Sequence, residues 1–225
     1  MDLPITDESE IFVNLKELEF INTLTGGPAL VFGALQQTLN AYFKQNLMRE
    51  IHIADIGFGA GDMLVFLLEN AEKLPCPIRL TGVDMMPEAH NYALKMHPEL
   101  SEKVNFVTAD YADWLTEGAQ PDIVLASLFC HHLTDEQLLF FFKNTHKNVK
   151  IATIVNDLNR HPIAYYGIKY LTRWFSSSRF TKNDAPLSVL RGFLRSELVF
   201  LLEKAHVKPY IVTWKWAFRF LIIFW

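Results

Sequence analysis

The stretch from Ile51 to Asp62 constrains the fold of this chain more than any other part of the sequence. It opens with a β-branched apolar run that carries an acid at Asp55, and glycines then occupy every second position at Gly57, Gly59 and Gly61. An apolar segment with helical spacing follows, so the order predicts a buried strand, a tight turn and the start of a helix. Glycines in such a turn let the backbone approach a ligand closely.

The spacing of these glycines separates the turn from a dinucleotide-binding fingerprint. That fingerprint is Gly-x-Gly-x-x-Gly, and Asp62 stands where its third glycine would be. An acid at the start of the helix opposes a pyrophosphate and suits a positively charged ligand. The run resembles motif I of the class I S-adenosylmethionine-dependent methyltransferases, whose glycine loop supports the methionine half of the cofactor. A turn that serves only chain reversal is the structural alternative.

Composition narrows the class of protein further. With 225 residues, half of them hydrophobic, the chain suits one α/β domain with a small cap, and its net charge of −4 gives no electrostatic basis for binding nucleic acid. Cys76 and Cys130 stand alone, which favours a reducing compartment and argues against structural zinc. The start Met1–Pro4 lacks the regions of a signal peptide, and the apolar run 220–225 is too short to span a bilayer. We therefore expect a cytoplasmic protein without stable membrane insertion.

Apolar runs and helical segments alternate along most of the chain, which predicts a parallel sheet covered on both faces. Strands are predicted at 51–56, 79–84, 104–108, 122–127 and 150–156, and helices at 14–23, 29–46, 62–73, 88–97, 111–116, 135–147 and 187–205. The first two helices predict an N-terminal helical cap over 1–48, ahead of a methyltransferase domain over 49–225.

The C-terminus carries two further strand patterns, at 209–216 and 218–225, joined by almost no connection. So short a link permits only an antiparallel pair. Five parallel strands followed by an antiparallel hairpin is the order that the methyltransferase resemblance implies, with the last strand between the fifth and sixth. The predicted fold is thus α/β, a Rossmann-like seven-stranded sheet. A dehydrogenase domain would continue in parallel.

Acidic residues stand at the ends of successive predicted strands, the edge at which open α/β sheets bind their ligands. These acids suit S-adenosylmethionine as the cofactor. The resemblance implies that Asp84, beside Met85, binds the ribose hydroxyls, a device shared with NAD-binding folds. It also implies that Asp110 accepts from the adenine amino group while Tyr111 packs on the ring, and that Leu128 adjoins the transferable methyl group. A solvated Asp84 and a helix-capping Asp110 are the structural alternatives.

The segment Ala126–Leu133 follows the fourth strand and resembles the His-His-Leu segment of small-molecule methyltransferases of the ubiquinone and menaquinone type. His131 and His132 are candidate general bases there, because a histidine titrates near neutral pH. A purely structural role for both stays open. Asp157 would be a lone metal ligand, so we predict no metal site.

A narrower resemblance rests on Asn156–Tyr166 and on Leu18–Asn22. Both are similar to a bacterial branch of these enzymes found beside polyketide-synthase genes, which implies phenolic or lipid-like acceptors. His161 becomes a third candidate base. Acceptor-binding residues are then predicted at Arg160, Tyr165 and Tyr166. The structural alternative pairs Arg160 with Asp157 and packs the tyrosines into a helix.

A basic, aromatic segment follows, with seven Lys or Arg and one acid between 160 and 195. Ala164, Ile168, Leu171 and Phe175 fall on one helical face. We predict a lid over the acceptor site at about 160–190, which suits an amphiphilic acceptor or transient contact with a membrane surface. A solvated, charge-bearing helix is the alternative.

These observations predict methyl transfer from S-adenosylmethionine to a small hydrophobic acceptor, foremost O-methylation of a phenol or hydroxyl with a histidine base. C-methylation of an activated ring is the nearest alternative. An NAD-dependent oxidoreductase and a cofactor-binding protein without catalysis are alternatives of other classes. The sequence does not indicate an oligomeric state.

Overall fold

The structure, a computed structural model, describes residues 8–225, with Glu8 and Ser9 described by their backbone alone. The start Met1–Pro4 and the first seven residues of the predicted cap therefore lie outside the described residues. The helices are α1 Glu8–Leu24, α2 Gly27–Tyr42, α3 Asp62–Glu69, α4 Pro87–Met96, α5 Tyr111–Thr116, α6 Asp135–Asn148, α7 Pro162–Phe175, α8 Arg179–Arg191 and α9 Arg195–Lys204. The strands are β1 Ile51–Ile56, β2 Ile78–Asp84, β3 Val104–Thr108, β4 Ile123–Ser127, β5 Ala152–Leu158, β6 Tyr210–Lys215 and β7 Arg219–Phe224. Short 3-10 helices occupy Ala71–Lys73, Pro98–Glu102 and Cys130–His132.

The seven strands form one sheet in the order β3-β2-β1-β4-β5-β7-β6. The first five run parallel, while β7 lies antiparallel between β5 and β6, with Ile223 opposite both Ile154 and Ile211. This arrangement confirms the predicted fold class and the insertion of the last strand. β7 is an apolar strand covered on both sides because it is internal to the sheet, and Ile222 and Phe224 are fully buried.

Helices cover both faces of the sheet. On one face α2, α3 and α4 pack over β1 and its neighbours, and on the other face α5, α6 and α9 pack over β4, β5 and β7. Leu35 and Leu39 of α2 are fully buried in the first of these cores. The helix α2 therefore belongs to the main core of the domain, and a separate cap over 1–48 stays a prediction.

The predicted helix 187–205 is two helices, because the chain turns sharply at Gly192 between α8 and α9. A side chain at Gly192 would place its Cβ 2.7 Å from the carbonyl oxygen of Leu158, at the end of β5. The close crossing of these two backbone segments ends α8 there. Within residues 8–225 no single helix is long and apolar enough to cross a membrane, and α1 and α2 reach that limit only as a pair bent by 57°.

Candidate active site

The glycine turn lies between β1 and α3, at the carboxyl edge of the parallel strands. Gly57, Gly59 and Gly61 all have positive φ, at 69°, 52° and 85°, which glycine adopts without a steric penalty. A Cβ at Gly57 would lie 2.4 Å from the Phe129 ring, whereas a Cβ at Gly59 would meet only the Gly57 carbonyl oxygen, at 4.0 Å. The turn is thus packed at its first glycine and open at its second, where a ligand can approach the backbone.

Asp84 ends β2 and holds the glycine turn in place. Its carboxylate accepts hydrogen bonds from the backbone N–H groups of Gly59, at 3.0 Å, and Met86, at 2.9 Å. Burial nevertheless raises the pKa of Asp84. Met85 beside it is two-thirds exposed. The predicted position of Asp84 at the strand end, next to the turn, is therefore the observed one.

Two further carboxylates face the same turn. Asp55 on β1 is 2% exposed, and its pKa is raised by burial and by the charges of Asp62 and Asp84. Asp62, the first residue of α3, accepts a 2.5 Å hydrogen bond from Nδ2 of Asn22. Burial raises the pKa of Asp62 to about 6, although the bond from Asn22 opposes that rise. We call Asp55, Asp62 and Asp84 the acid trio.

The acid trio fits a cationic ligand. Within the described part of the chain none of the three forms an ion pair with a Lys or Arg, and the charges of Asp62 and Asp84 both disfavour the ionised form of Asp55. The methionine end of S-adenosylmethionine carries an ammonium and a sulfonium, which would supply the missing positive charge. The residues that would hold the cofactor as a whole are Asp55, Asp84 and the backbone of the three turn glycines.

Asp110 and Tyr111 lie where β3 leads into α5. Asp110 caps α5 by accepting from the N–H of Ala112 at 2.7 Å, which is the structural role foreseen as an alternative. Tyr111 is buried, donates its hydroxyl to the carbonyl of Gln137 and packs edge-on against Phe129. Burial raises the pKa of Tyr111 to about 12. An adenine contact by either residue stays a prediction.

A buried histidine–aspartate pair follows β4 and β5. Nδ1 of His131 lies 2.7 Å from Oδ1 of Asp157, and both side chains are almost completely buried. Burial alone would raise the pKa of Asp157, but the charge and the hydrogen bond of His131, with a bond from the N–H of Leu158, bring it below its usual range. Because Nδ1 is engaged, Nε2 is the nitrogen left to exchange a proton with a ligand.

His132 differs from its neighbour although their ring centroids are only 4.1 Å apart. Its ring is accessible to solvent, yet burial and the charge of His131 lower the pKa of His132 to about 3. Leu128, just before this segment, has a φ of 54°, a strained conformation for a non-glycine residue. Its N–H donates to the carbonyl of Asn156.

A buried arginine, which the sequence analysis did not identify, lies on β7 and contacts the turn between α1 and α2. Arg219 of β7 is 3% exposed, and its Nη2 donates to the hydroxyl of Thr25 at 2.6 Å. Its Nε and Nη1 have no described hydrogen-bond partner, and Oδ1 of Asn22 is likewise unpaired. Burial lowers the pKa of Arg219, and the charges of Asp157 and Asp62 oppose that change.

The remaining predicted residues lie at the start of α7. His161 caps this helix by accepting from the N–H of Ile163, and its ring stacks on Phe218 at 4.8 Å. Arg160 pairs with Glu197 of α9 and not with Asp157. Tyr165 is half-buried, and Tyr166 is exposed on the outer side of α7. The structure thus brings His131 and His132 together and leaves His161 in a capping role.

No group of three metal-binding side chains occurs among the described side chains, those of residues 10–225. A sequence model described as a methyltransferase domain matches residues 53–151, which span β1 to the start of β5. No curated protein sequence matches the chain.

Solved structures of low sequence identity share the fold. Human N-acetylserotonin methyltransferase bound to S-adenosylmethionine is 16% identical, with a TM-score of 0.61 over 97% of this chain and 56% of the human one. Magnesium protoporphyrin IX methyltransferase from Synechocystis, bound to S-adenosylhomocysteine, is 14% identical, with a TM-score of 0.54 over 88% and 81% of the two chains. An O-methyltransferase family 2 protein from Planctomyces limnophilus, complexed with apigenin, is 15% identical, with a TM-score of 0.55 over 77% and 49%.

The present chain thus spans little more than half the length of the human enzyme. Residues 53–151 thus match a methyltransferase domain, and the whole chain shares the fold of solved S-adenosylmethionine-dependent methyltransferases.

Proposed function

We propose that this protein transfers a methyl group from S-adenosylmethionine to the oxygen of a small hydrophobic acceptor, a phenol or a related hydroxyl compound. The observation that carries the proposal is the buried pair of His131 and Asp157, placed at the strand edge next to the glycine turn. The similarity in fold to a protein complexed with apigenin, a phenolic molecule, supports this acceptor class.

The bound cofactor supplies an electrophilic methyl group, and the protein supplies alignment and a base. A hydroxyl acceptor must lose its proton as its oxygen attacks, and Nε2 of His131 accepts that proton. Asp157 holds Nδ1 of the ring at 2.7 Å, so it fixes the tautomer and stabilises the imidazolium that forms. His132 is a wall residue in this scheme, because a pKa near 3 makes it a poor base.

The positive charge of Arg219 favours an acceptor that becomes anionic during the reaction. Arg219 is buried, and the charge of Asp157 acts on it. Two of its nitrogens have no described hydrogen-bond partner. A cation so placed stabilises negative charge that develops on the acceptor oxygen, because the surroundings are poorly solvated. Phe129, which packs against Gly57, presents an apolar wall at the same edge of the sheet.

The test combines cofactor binding with methyl transfer. Calorimetric titration with S-adenosylhomocysteine and, separately, with NAD checks the cofactor class, and binding of NAD alone would contradict the proposal. A panel of phenols that includes apigenin is then incubated with methyl-labelled S-adenosylmethionine, and the position of the label is determined by NMR. We expect the label on oxygen, whereas label on a ring carbon would favour the C-methylation alternative.

A further inference from the structure

Helix α7 exposes most of its large apolar side chains to solvent. Six large apolar side chains of α7 are between 40% and 80% exposed, and Thr172 is the one residue of this helix that is buried. The exposed set, which we call the aromatic face, consists of Ile163, Tyr166, Tyr170, Leu171, Trp174 and Phe175. The inner side of α7 packs mainly on α8.

The aromatic face continues onto the hairpin formed by β6 and β7. Trp214 and Trp216 are 49% and 74% exposed, and both contact the ring of Phe218. Phe218 in turn stacks on His161 at the first turn of α7. Phe218 and His161 thus link the exposed rings of the hairpin to the start of α7, and the exposed apolar side chains of the two elements exceed the scattered ones normal for a protein surface.

The charged side chains of α7 itself are of one sign. The α7 sequence contains Lys169 and Arg173 and no acid. The segment 160–195 as a whole has seven Lys or Arg and one acid, although the complete chain carries a net charge of −4. Helices that lie in the plane of a membrane interface typically place Tyr and Trp at the level of the lipid headgroups, with basic residues beside them.

We propose that the aromatic face of α7 binds the surface of an anionic lipid bilayer, with the helix axis parallel to the membrane. Local positive charge on a negative protein favours anionic lipid over a neutral bilayer. A second copy of the chain is a poorer occupant, because a symmetric α7–α7 contact would bring Lys169 and Arg173 of both copies together. The proposal does not depend on the methylated atom or on the catalytic base.

The binding surface adjoins the active site along the chain. Strand β5 ends at Leu158, one residue after Asp157, and α7 begins four residues later at Pro162. Docking through α7 would therefore hold the strand edge of the sheet near the lipid headgroups. An acceptor that partitions into the membrane could then reach the site without crossing bulk water.

Flotation of the purified full-length chain with vesicles tests the proposal. The probes are vesicles of phosphatidylcholine alone and of phosphatidylcholine with phosphatidylglycerol, at low and high salt. We expect binding to the anionic vesicles only, weakened by salt. Trp174→Ser and Phe175→Ser should each reduce the affinity about tenfold, since each removes an aromatic group from the interface. Phe200→Ser on α9, which is 60% exposed, is the matched control and should bind normally.

A second pair of variants separates charge from apolar contact. Lys169→Gln with Arg173→Gln should lose about fivefold in affinity for each charge removed. Lys143→Gln with Lys147→Gln has the same spacing on the exposed side of α6 and should leave binding unchanged. Calorimetric titration of every variant with S-adenosylhomocysteine verifies folding.

Three results would overturn the proposal. They are failure of the wild-type chain to float with anionic vesicles, vesicle binding that survives both Trp174→Ser and Phe175→Ser, and a dimer in light scattering that Trp174→Ser dissociates. The last result would make a second copy the occupant of the aromatic face.

Discussion

At the scale of single residues, the site divides into an acidic half and a basic half. The acid trio surrounds the glycine turn, and His131 with Arg219 lies beyond it toward β5 and β7. This separation matches a cationic donor on one side and an acceptor that gains negative charge on the other. The repulsion within the acid trio is the part of this arrangement that a ligand can relieve.

The elevated pKa of Asp62 predicts how cofactor affinity depends on pH. In the free protein Asp62 titrates at about 6, and a bound ammonium favours its carboxylate form, so binding releases a proton. The ionisation of Asp62 alone should raise the affinity for S-adenosylhomocysteine about tenfold between pH 5 and pH 7. In calorimetry Asp62→Asn should flatten this dependence, and an unchanged slope in this variant would exclude Asp62 as its source.

Two glycines of the turn should respond differently to the same substitution. Gly57→Ala forces a Cβ to within 2.4 Å of Phe129, so we expect a loss of about 2–4 kcal/mol in the free energy of unfolding. Gly59→Ala meets no such clash and should cost only the positive-φ penalty of about 1–2 kcal/mol. It should instead weaken cofactor binding, because the methyl group fills the open side of the turn. Urea unfolding and calorimetry measure the two effects, and equal stability losses would contradict the packing described.

Local sequence order allowed some site residues to be predicted and concealed others. Asp84 and Asp157 stand directly at strand ends, so their meeting at one edge follows from a parallel sheet. The contacts of Arg219 with Thr25 and of Asn22 with Asp62 join residues 194 and 40 positions apart. No spacing rule links such residues, so only the folded chain brings them together.

At the scale of elements, α1 connects the parts that surround the site. Asn22 of α1 bonds to Asp62 at the glycine turn, and Asn14 accepts a buried bond from Thr181 of α8. The carboxylate of Glu17 accepts four hydrogen bonds at the α7–α8 turn, from the Ser176 and Ser177 hydroxyls and the Ser177 and Ser178 N–H groups. Movement of α1 would therefore act on the cofactor turn and the α7–α8 pair together.

Glu17→Gln tests this connection. The substitution removes charge-assisted bonds and should cost about 1–2 kcal/mol, with faster proteolysis near 176–178. Burial opposes the shift, but the serine hydrogen bonds bring the pKa of Glu17 below its usual value. The stabilisation should thus be complete near neutral pH and be lost as the pH falls through the folded-state pKa. The difference between wild type and variant should shrink in acid, while Glu69→Gln, at the exposed last residue of α3, should cleave like wild type.

The observed ends of helices and strands agree with the predicted ends where a local sequence signal marks them. The predicted bounds of β1, β3 and α5 are those observed, and the predicted start of α6 at Asp135 is marked by a capping box at Thr134. The outward orientation of α7 could not be predicted, because periodicity identifies an apolar face without saying what covers it.

At the scale of the whole molecule, β7 holds the C-terminal end of the sheet together, because it lies between β5 and β6. Each of its six residues pairs with both β5 and β6, and Phe224 packs edge-on against Phe142 of α6. Deletion of residues 218–225 would expose β5 as an edge and remove Arg219. We expect insoluble protein, and a soluble truncation that still binds S-adenosylhomocysteine would contradict this account of the fold.

The central claim is that His131, oriented by Asp157, is the base for methyl transfer. Its most direct test is the turnover of His131→Ala, Asp157→Asn and His132→Ala on the best phenol of the panel, with S-adenosylhomocysteine affinity measured for each. We predict that kcat falls about 10²–10⁴-fold in the first two variants, with cofactor affinity within about twofold of wild type and His132→Ala far less affected. Full turnover by His131→Ala with intact cofactor binding would contradict the claim.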